Sequence, residues 1–128
     1  MQLHHIGVAC RDIEEGIEQL TRVHDVVRRT PVVHDPEQDA LLVMLTLSDG
    51  TRIELVAGRQ VDTLLKKNIG LYHLCFEVAD IDAEIGRLVA GGARLIVPPK
   101  PAVLFDGRAV AFLYVDYGMI ELLSKKQG

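Results

Sequence analysis

The chain has no basic stripe, no long apolar run and no cysteine framework, and each absence closes off a class of function. Its paired basic residues are only Arg28-Arg29, Lys66-Lys67 and Lys125-Lys126, within a net charge of −4 and a pI of about 5.7. Phosphate backbones and anionic membrane surfaces are drawn by dense positive charge, so neither nucleic acid nor a membrane is an expected partner. No apolar run approaches the roughly 20 residues that span a bilayer. The opening stretch, MQLHH, lacks the basic-then-apolar layout of a secretion signal. The two cysteines, Cys10 and Cys75, fall in predicted strands and do not correspond in the internal repeat described next. They read as small buried hydrophobes in a reducing compartment, which predicts a cytoplasmic location.

What is present is an ordinary core supply: 128 residues, 48% hydrophobic and 25% charged, enough for one compact domain. Within it the chain repeats itself. Laid over one another at a constant offset, LHHIGVACRDIEEGIEQL from Leu3 matches LYHLCFEVADIDAEIGRL from Leu71. His5 meets His73, Asp12 meets Asp80, Ile13 meets Ile81 and Leu20 meets Leu88. At nearly the same offset TRIELV around Glu54 matches GMIELL around Glu121. Two copies, about 1–58 and 70–125, make up the domain.

Each copy reads as βαβββ. Residues 3–10 alternate as a strand, and Asp12 caps a helix whose Ile13, Ile17 and Leu20 share one face, ending near Asp25. A second strand over 26–33 is broken or placed at an edge by Pro31, and 34–39 is a loop. Strands at 40–47 and 51–57 are joined by a turn at 48–50. A short helix over 61–67 links the copies. The second copy places a strand at 71–78, a helix capped by Asp80 with Ile81, Ile85, Leu88 and Val89 buried, and a stop at Gly91-Gly92. A strand at 93–97 runs into PPKP at 98–101, whose missing amide donors exclude a central strand. Strands at 109–115 and 118–124 close the copy. The expected fold is α+β: two tandem βαβββ modules forming a curved mixed sheet around a central metal-binding cavity.

Alternation along the strands puts Ile6 and Val8, and Leu74, Phe76 and Val78, on the helix side. His5, His73 and Glu77 then face the cavity, as do Glu54 and Glu121. Two carboxylates in apolar strands are costly unless a cation or hydrogen bonds compensate. With two imidazoles beside them, His5, Glu54, His73 and Glu121 point to one divalent ion: zinc, nickel, cobalt, manganese or ferrous iron. The competing expectation is a metal-free pocket in which Glu and His pair. His4, His24 and His34 read as surface residues.

These motifs (LHHIGVA, GTRIELV, GLYHLCFEVADI and GMIELL) resemble the vicinal oxygen chelate superfamily over residues 3–124, and within it the methylmalonyl-CoA epimerases. The resemblance implies a metal-dependent isomerase or epimerase acting on a small acyl-CoA or 2-oxo substrate, with the metal stabilising an enolate, and it implies a homodimer. The same ligand set resembles bacterial glyoxalase I, which makes a glyoxalase-like lyase the alternative. A non-catalytic small-molecule binding protein of the same fold is the rival from another class. One departure stands out: the third-strand position where the epimerases carry a catalytic carboxylate aligns with Leu42. The base is then Glu54 or Glu121 leaving the metal, or Glu77, or a loop carboxylate, Glu37 or Asp39. Lys100 and Arg108 are candidates for meeting an acidic substrate group, with Met44, Phe112 and Tyr114 as candidate pocket walls.

Overall fold

In a computed structural model, residues 1–125 are described, and Lys126 of the third basic pair lies outside them. The fold is α+β, with nine strands among the described residues, paired both parallel and antiparallel. By contact density the chain divides into two compact units. One is His5–Tyr72; the other joins Met1–His4 to the chain from His73 on.

The His5–Tyr72 unit is built from β1 (Gln2–Ala9), α1 (Ile13–Val23), β2 (Val26–Arg29), β3 (Val33–Asp35), β4 (Ala40–Leu47) and β5 (Arg52–Gly58). Its strand order is β2-β4-β5-β1, with β3 also on β4. β5 runs antiparallel to β4 and parallel to β1. Asp12 starts α1 as expected, its carboxylate accepting from the Glu15 amide at 2.9 Å. Ile13 and Ile17 are buried against Val43, Leu45, Leu55 and Ala57, with Leu20 and Val8 packed alongside. A 3-10 turn at Arg59–Val61 and α2 (Asp62–Lys66) complete the unit.

The segment predicted as one strand over 26–33 is two, and the loop expected from 34 begins only after Asp35. Pro31 interrupts the ladder, and Thr30 bridges the break: its amide donates to Met44 O at 2.9 Å, and its hydroxyl accepts from Met44 N at 3.0 Å. A side-chain oxygen thus stands in for a backbone acceptor.

The other unit repeats the plan with β6 (Leu71–Val78), α3 (Ile81–Ala90), β7 (Arg94–Pro101), β8 (Ala109–Val115) and β9 (Gly118–Ser124), in the order β6-β9-β8-β7. β6 and β9 are parallel, as β1 and β5 are. Asp80 caps α3 through the Ala83 amide at 3.1 Å. Ile81, Ile85 and Leu88 pack on Val78, Leu113, Ile120 and Leu122. Val89, expected on that face, is 44% exposed; a residue eight positions along a 3.6-residue repeat has rotated to the flank. β7 also differs from expectation in length, since it continues through Pro98, Pro99 and Pro101. It does so at the sheet's edge, with register shifts on either side of Val97. An edge strand, paired on one side only, tolerates missing donors that a central strand does not.

Gly16 is buried where α1 meets the end of β1. A Cβ built on it would lie 2.9 Å from Cys10 Sγ and 3.1 Å from Cys10 Cβ. Alanine is the better helix former by about 1 kcal/mol, yet overpacking of this kind costs about 1–3 kcal/mol. Gly16→Ala should therefore lower stability in urea denaturation. The same change in a Cys10→Ala background should cost less, because the sulfur contact is gone and only the contact with Cβ at 3.1 Å remains; a stabilised Gly16→Ala single variant would refute the contact.

Candidate functional site

Each unit holds one buried imidazole–carboxylate pair, put there by the same arrangement of strands. In the first, Gly7 of β1 and Met44 of β4 lie directly opposite Glu54 in the ladder. Opposed residues share a face, and so do residues two apart on a strand. His5 therefore joins Glu54 and Met44 on one side of the sheet. Its Nε2 lies 3.8 Å from Glu54 Oε1, beyond hydrogen-bond length. His5 is 1% exposed and Glu54 5%.

In the second unit, Cys75 of β6 and Phe112 of β8 lie opposite Glu121. His73, two residues before Cys75, shares that side, with Nε2 at 3.0 Å from Glu121 Oε1. Both are about 5% exposed. Phe112 sets its ring edge-on to the His73 imidazole, centroids 5.5 Å apart. Met44 and Phe112 occupy the same offset in the two copies, so the repeat that singles out the four polar residues also carries the signal for these two walls.

His5 and Glu54 in one unit, and His73 and Glu121 in the other, each supply an imidazole nitrogen and a carboxylate oxygen that could hold a metal ion. Buried carboxylates that face imidazoles in apolar strands are the donor chemistry of a divalent first-row ion. No cysteine belongs to the set, which fits a catalytic rather than a closed structural centre.

The remaining candidates are placed differently. Glu77 is on the His73 side of β6, but its carboxylate accepts from Arg108 Nη2 at 2.5 Å. That hydrogen bond, with the Arg108, His4 and Lys125 charges helping, outweighs desolvation and holds the Glu77 carboxyl below the usual carboxylate range. A depressed carboxyl is a poor proton acceptor. Arg108 is committed internally as well, its Nε donating to Ser124 O at 2.8 Å. Lys100 is partly buried on edge strand β7, opposite Val110. Leu42 lies two residues from Met44 on the same face, and packs against the buried cluster of Ala9, Ala40, Val56 and Val61. Glu37 is exposed, and Asp39 pairs with His34 and Arg59 at the surface. Tyr114 is 41% exposed beneath the Arg94 guanidinium. His4, expected at the surface, is half-buried edge-on to Phe105.

The Glu77 shift has a measurable consequence. Because the folded-state value is depressed, its contribution to stability is full above the unfolded-state carboxylate pKa and is lost as pH falls through the folded value. Glu77→Gln should flatten the acid limb of the stability–pH curve. An unchanged limb would mean that the Arg108 pair is not formed in solution.

The fold and the paired His–Glu strands define a chain of duplicated βαβββ type. Residues 4–112 match the Glyoxalase/Bleomycin resistance protein/Dioxygenase superfamily, and the chain belongs to that family. It is 30% identical over 119 residues to an ethylmalonyl-CoA/methylmalonyl-CoA epimerase of Cereibacter sphaeroides, covering 88% of this chain and 87% of that one. It is 29% identical to a mitochondrial methylmalonyl-CoA epimerase of Dictyostelium discoideum, over 88% and 70% of the two chains. Among solved structures, methylmalonyl-CoA epimerase from Mycobacterium tuberculosis superposes with a TM-score of 0.82 at 21% identity, covering 98% of this chain and 89% of that one. That likeness concerns the fold. Among the described residues no helix is long and apolar enough to cross a membrane.

Proposed function

We propose that the chain is a metal-dependent, epimerase-like isomerase acting on a small acyl-CoA or 2-oxo compound, with His5, Glu54, His73 and Glu121 as the ligands of a single divalent ion. The observation that carries this reading is the pair of buried acid–imidazole couples at matched positions of the two copies. The similarity to acyl-CoA epimerases suggests the substrate class. When bound, the ion would act as a Lewis acid, drawing charge from a substrate oxygen while the neighbouring carbon loses its proton. Glu121 or Glu54 takes that proton. Met44 and Phe112 flank these carboxylates with apolar surface that keeps water away.

Leu42 favours a second reading. A leucine cannot exchange a proton, so a mechanism with one base on each side of the carbon lacks a partner in β4. A glyoxalase-like lyase, in which one carboxylate both removes and returns the proton, needs no residue there.

Metal analysis of purified protein, followed by proton exchange of methylmalonyl-CoA in heavy water, tests the proposal. Bound metal with exchange into the carbon acid supports the epimerase-like reading. Bound metal with turnover of a glutathione hemithioacetal and no exchange supports the lyase. Protein that binds no divalent ion would refute both and leave a non-catalytic binding protein.

A further inference from the structure

The segment joining β7 to β8 is tied down more firmly than a surface connection needs to be. It runs from Ala102 through a 3-10 turn at Val103–Phe105 to Asp106 and Gly107, both at positive φ (53° and 81°). Its two ends are stitched together: Ala102 N donates to Arg108 O at 2.9 Å, and Gly107 N to Ala102 O at 3.0 Å. Its inner side lays Ala102 and Phe105 on Cys75, Val110 and Leu123, and Cys75 is wholly buried. His4 closes on Phe105 edge-on. The segment is a strap lying over Cys75, the residue directly opposite Glu121 in the ladder.

One side chain fastens it. Arg108, at the strap's end, reaches Glu77 of β6 with one nitrogen and Ser124 of β9 with another, while Ser124 Oγ accepts from Ala109 N at 3.0 Å. The planar guanidinium fork spans both strands at once, which a lysine cannot reproduce. Glu77 and Arg108 are each less than a quarter exposed, so their attraction is only partly screened. We infer that Glu77 and Arg108 are positioning residues, a latch that holds the 102–108 strap over Cys75 and so shapes the side of the sheet bearing His73 and Glu121. The latch uses both charged groups that the sequence offered as base and substrate anchor. Its bearing on a bound ion rests on the function proposed above; its hold on the strap does not.

Cys75 reports on the strap directly. In a Cys10→Ala background it is the chain's sole thiol, and its labelling by an aromatic disulfide reagent under native conditions measures how often the strap lifts. Arg108→Met should speed labelling at least tenfold, Glu77→Gln should do likewise, and Arg108→Lys should recover part of the protection. Gly58→Ala in the same background lowers stability in the other unit, where its Cβ would meet Asp39 O, and is the control for global unfolding. An unchanged labelling rate in Arg108→Met would overturn the latch, as would acceleration no greater than the control shows at equal loss of stability. In parallel, protein loaded with cobalt(II) should surrender it to chelator faster in Arg108→Met than in the parent. Equal release would confine the latch to the strap and overturn its effect on the pair. If the parent takes up no cobalt, the proposed function fails, and the labelling rates alone judge the latch.

Discussion

Glu121→Gln should leave the protein folded yet erase any rise in melting temperature on adding a divalent ion. Glutamine keeps the size of the side chain and loses the charge, so the packing of β9 against α3 through Ile120 and Leu122 is undisturbed. What goes is an anionic oxygen 3.0 Å from His73 Nε2, in a setting where water supplies no substitute. An ion that binds only the folded chain stabilises it by about 4 kcal/mol at a thousandfold excess over its dissociation constant. For a chain of this size that is a rise on the order of 10 °C. Scanning calorimetry with zinc, cobalt and manganese should show the rise in the parent and none in Glu121→Gln or His73→Ala. A rise of equal size in those variants would place the ion elsewhere and leave the buried pairs without a catalytic purpose.

Gly58→Ala should be the most damaging single methyl group added to the His5–Tyr72 unit, costing about 3 kcal/mol or more. Gly58 ends β5 at φ 119° and ψ −168°, a conformation open essentially to glycine alone. A Cβ there would meet Asp39 O at 2.4 Å and Ala40 Cα at 3.1 Å. Both are backbone atoms, held by the ladder pairing of Ala40 with Gly58 and by the bond from Arg59 N to Asp39 O at 3.1 Å, so no side chain can swing aside. Gly50 is the contrast. Its φ of 91° also favours glycine, but nothing lies within 4 Å of its Cβ position. Gly50→Ala should therefore cost only the conformational strain, about 1–2 kcal/mol. Equal losses at the two positions in urea denaturation would show that the Asp39 contact relaxes.

The strands and helices that the sequence made legible are those whose pattern is local. β4, β6, β8 and β9 fall where alternation and turn residues put them, and Asp12 and Asp80 cap both long helices as their positions announce. Duplication exposed the rest, since His5, Glu54, His73 and Glu121 taken singly look like any strand residue. The misses are long-range. Nothing within 26–33 says that Thr30 will reach fourteen residues on to Met44 and let the strand break in two. Proline chemistry correctly keeps 98–101 out of a central position, but the pairing partner that carries β7 onward to Pro101 lies in β8. Glu77 and Arg108 are the sharpest case: one read as a candidate base and the other as a candidate substrate anchor, and the pairing that occupies both joins residues 31 apart in sequence.

The prolines in β7 also bear on how the protein behaves when crowded. An outer strand that presents an unbroken row of amide donors invites another chain to dock and extend the sheet, the first event in fibril growth. Pro98, Pro99 and Pro101 leave gaps in that row, and the irregular pairing with β8 disturbs what remains of it. Growth by strand addition is blocked there. In the His5–Tyr72 unit the strands beside β4 away from β5 are β2 and β3, only four and three residues long, and β2 carries the like charges of Arg28 and Arg29, which repel a second copy laid against them.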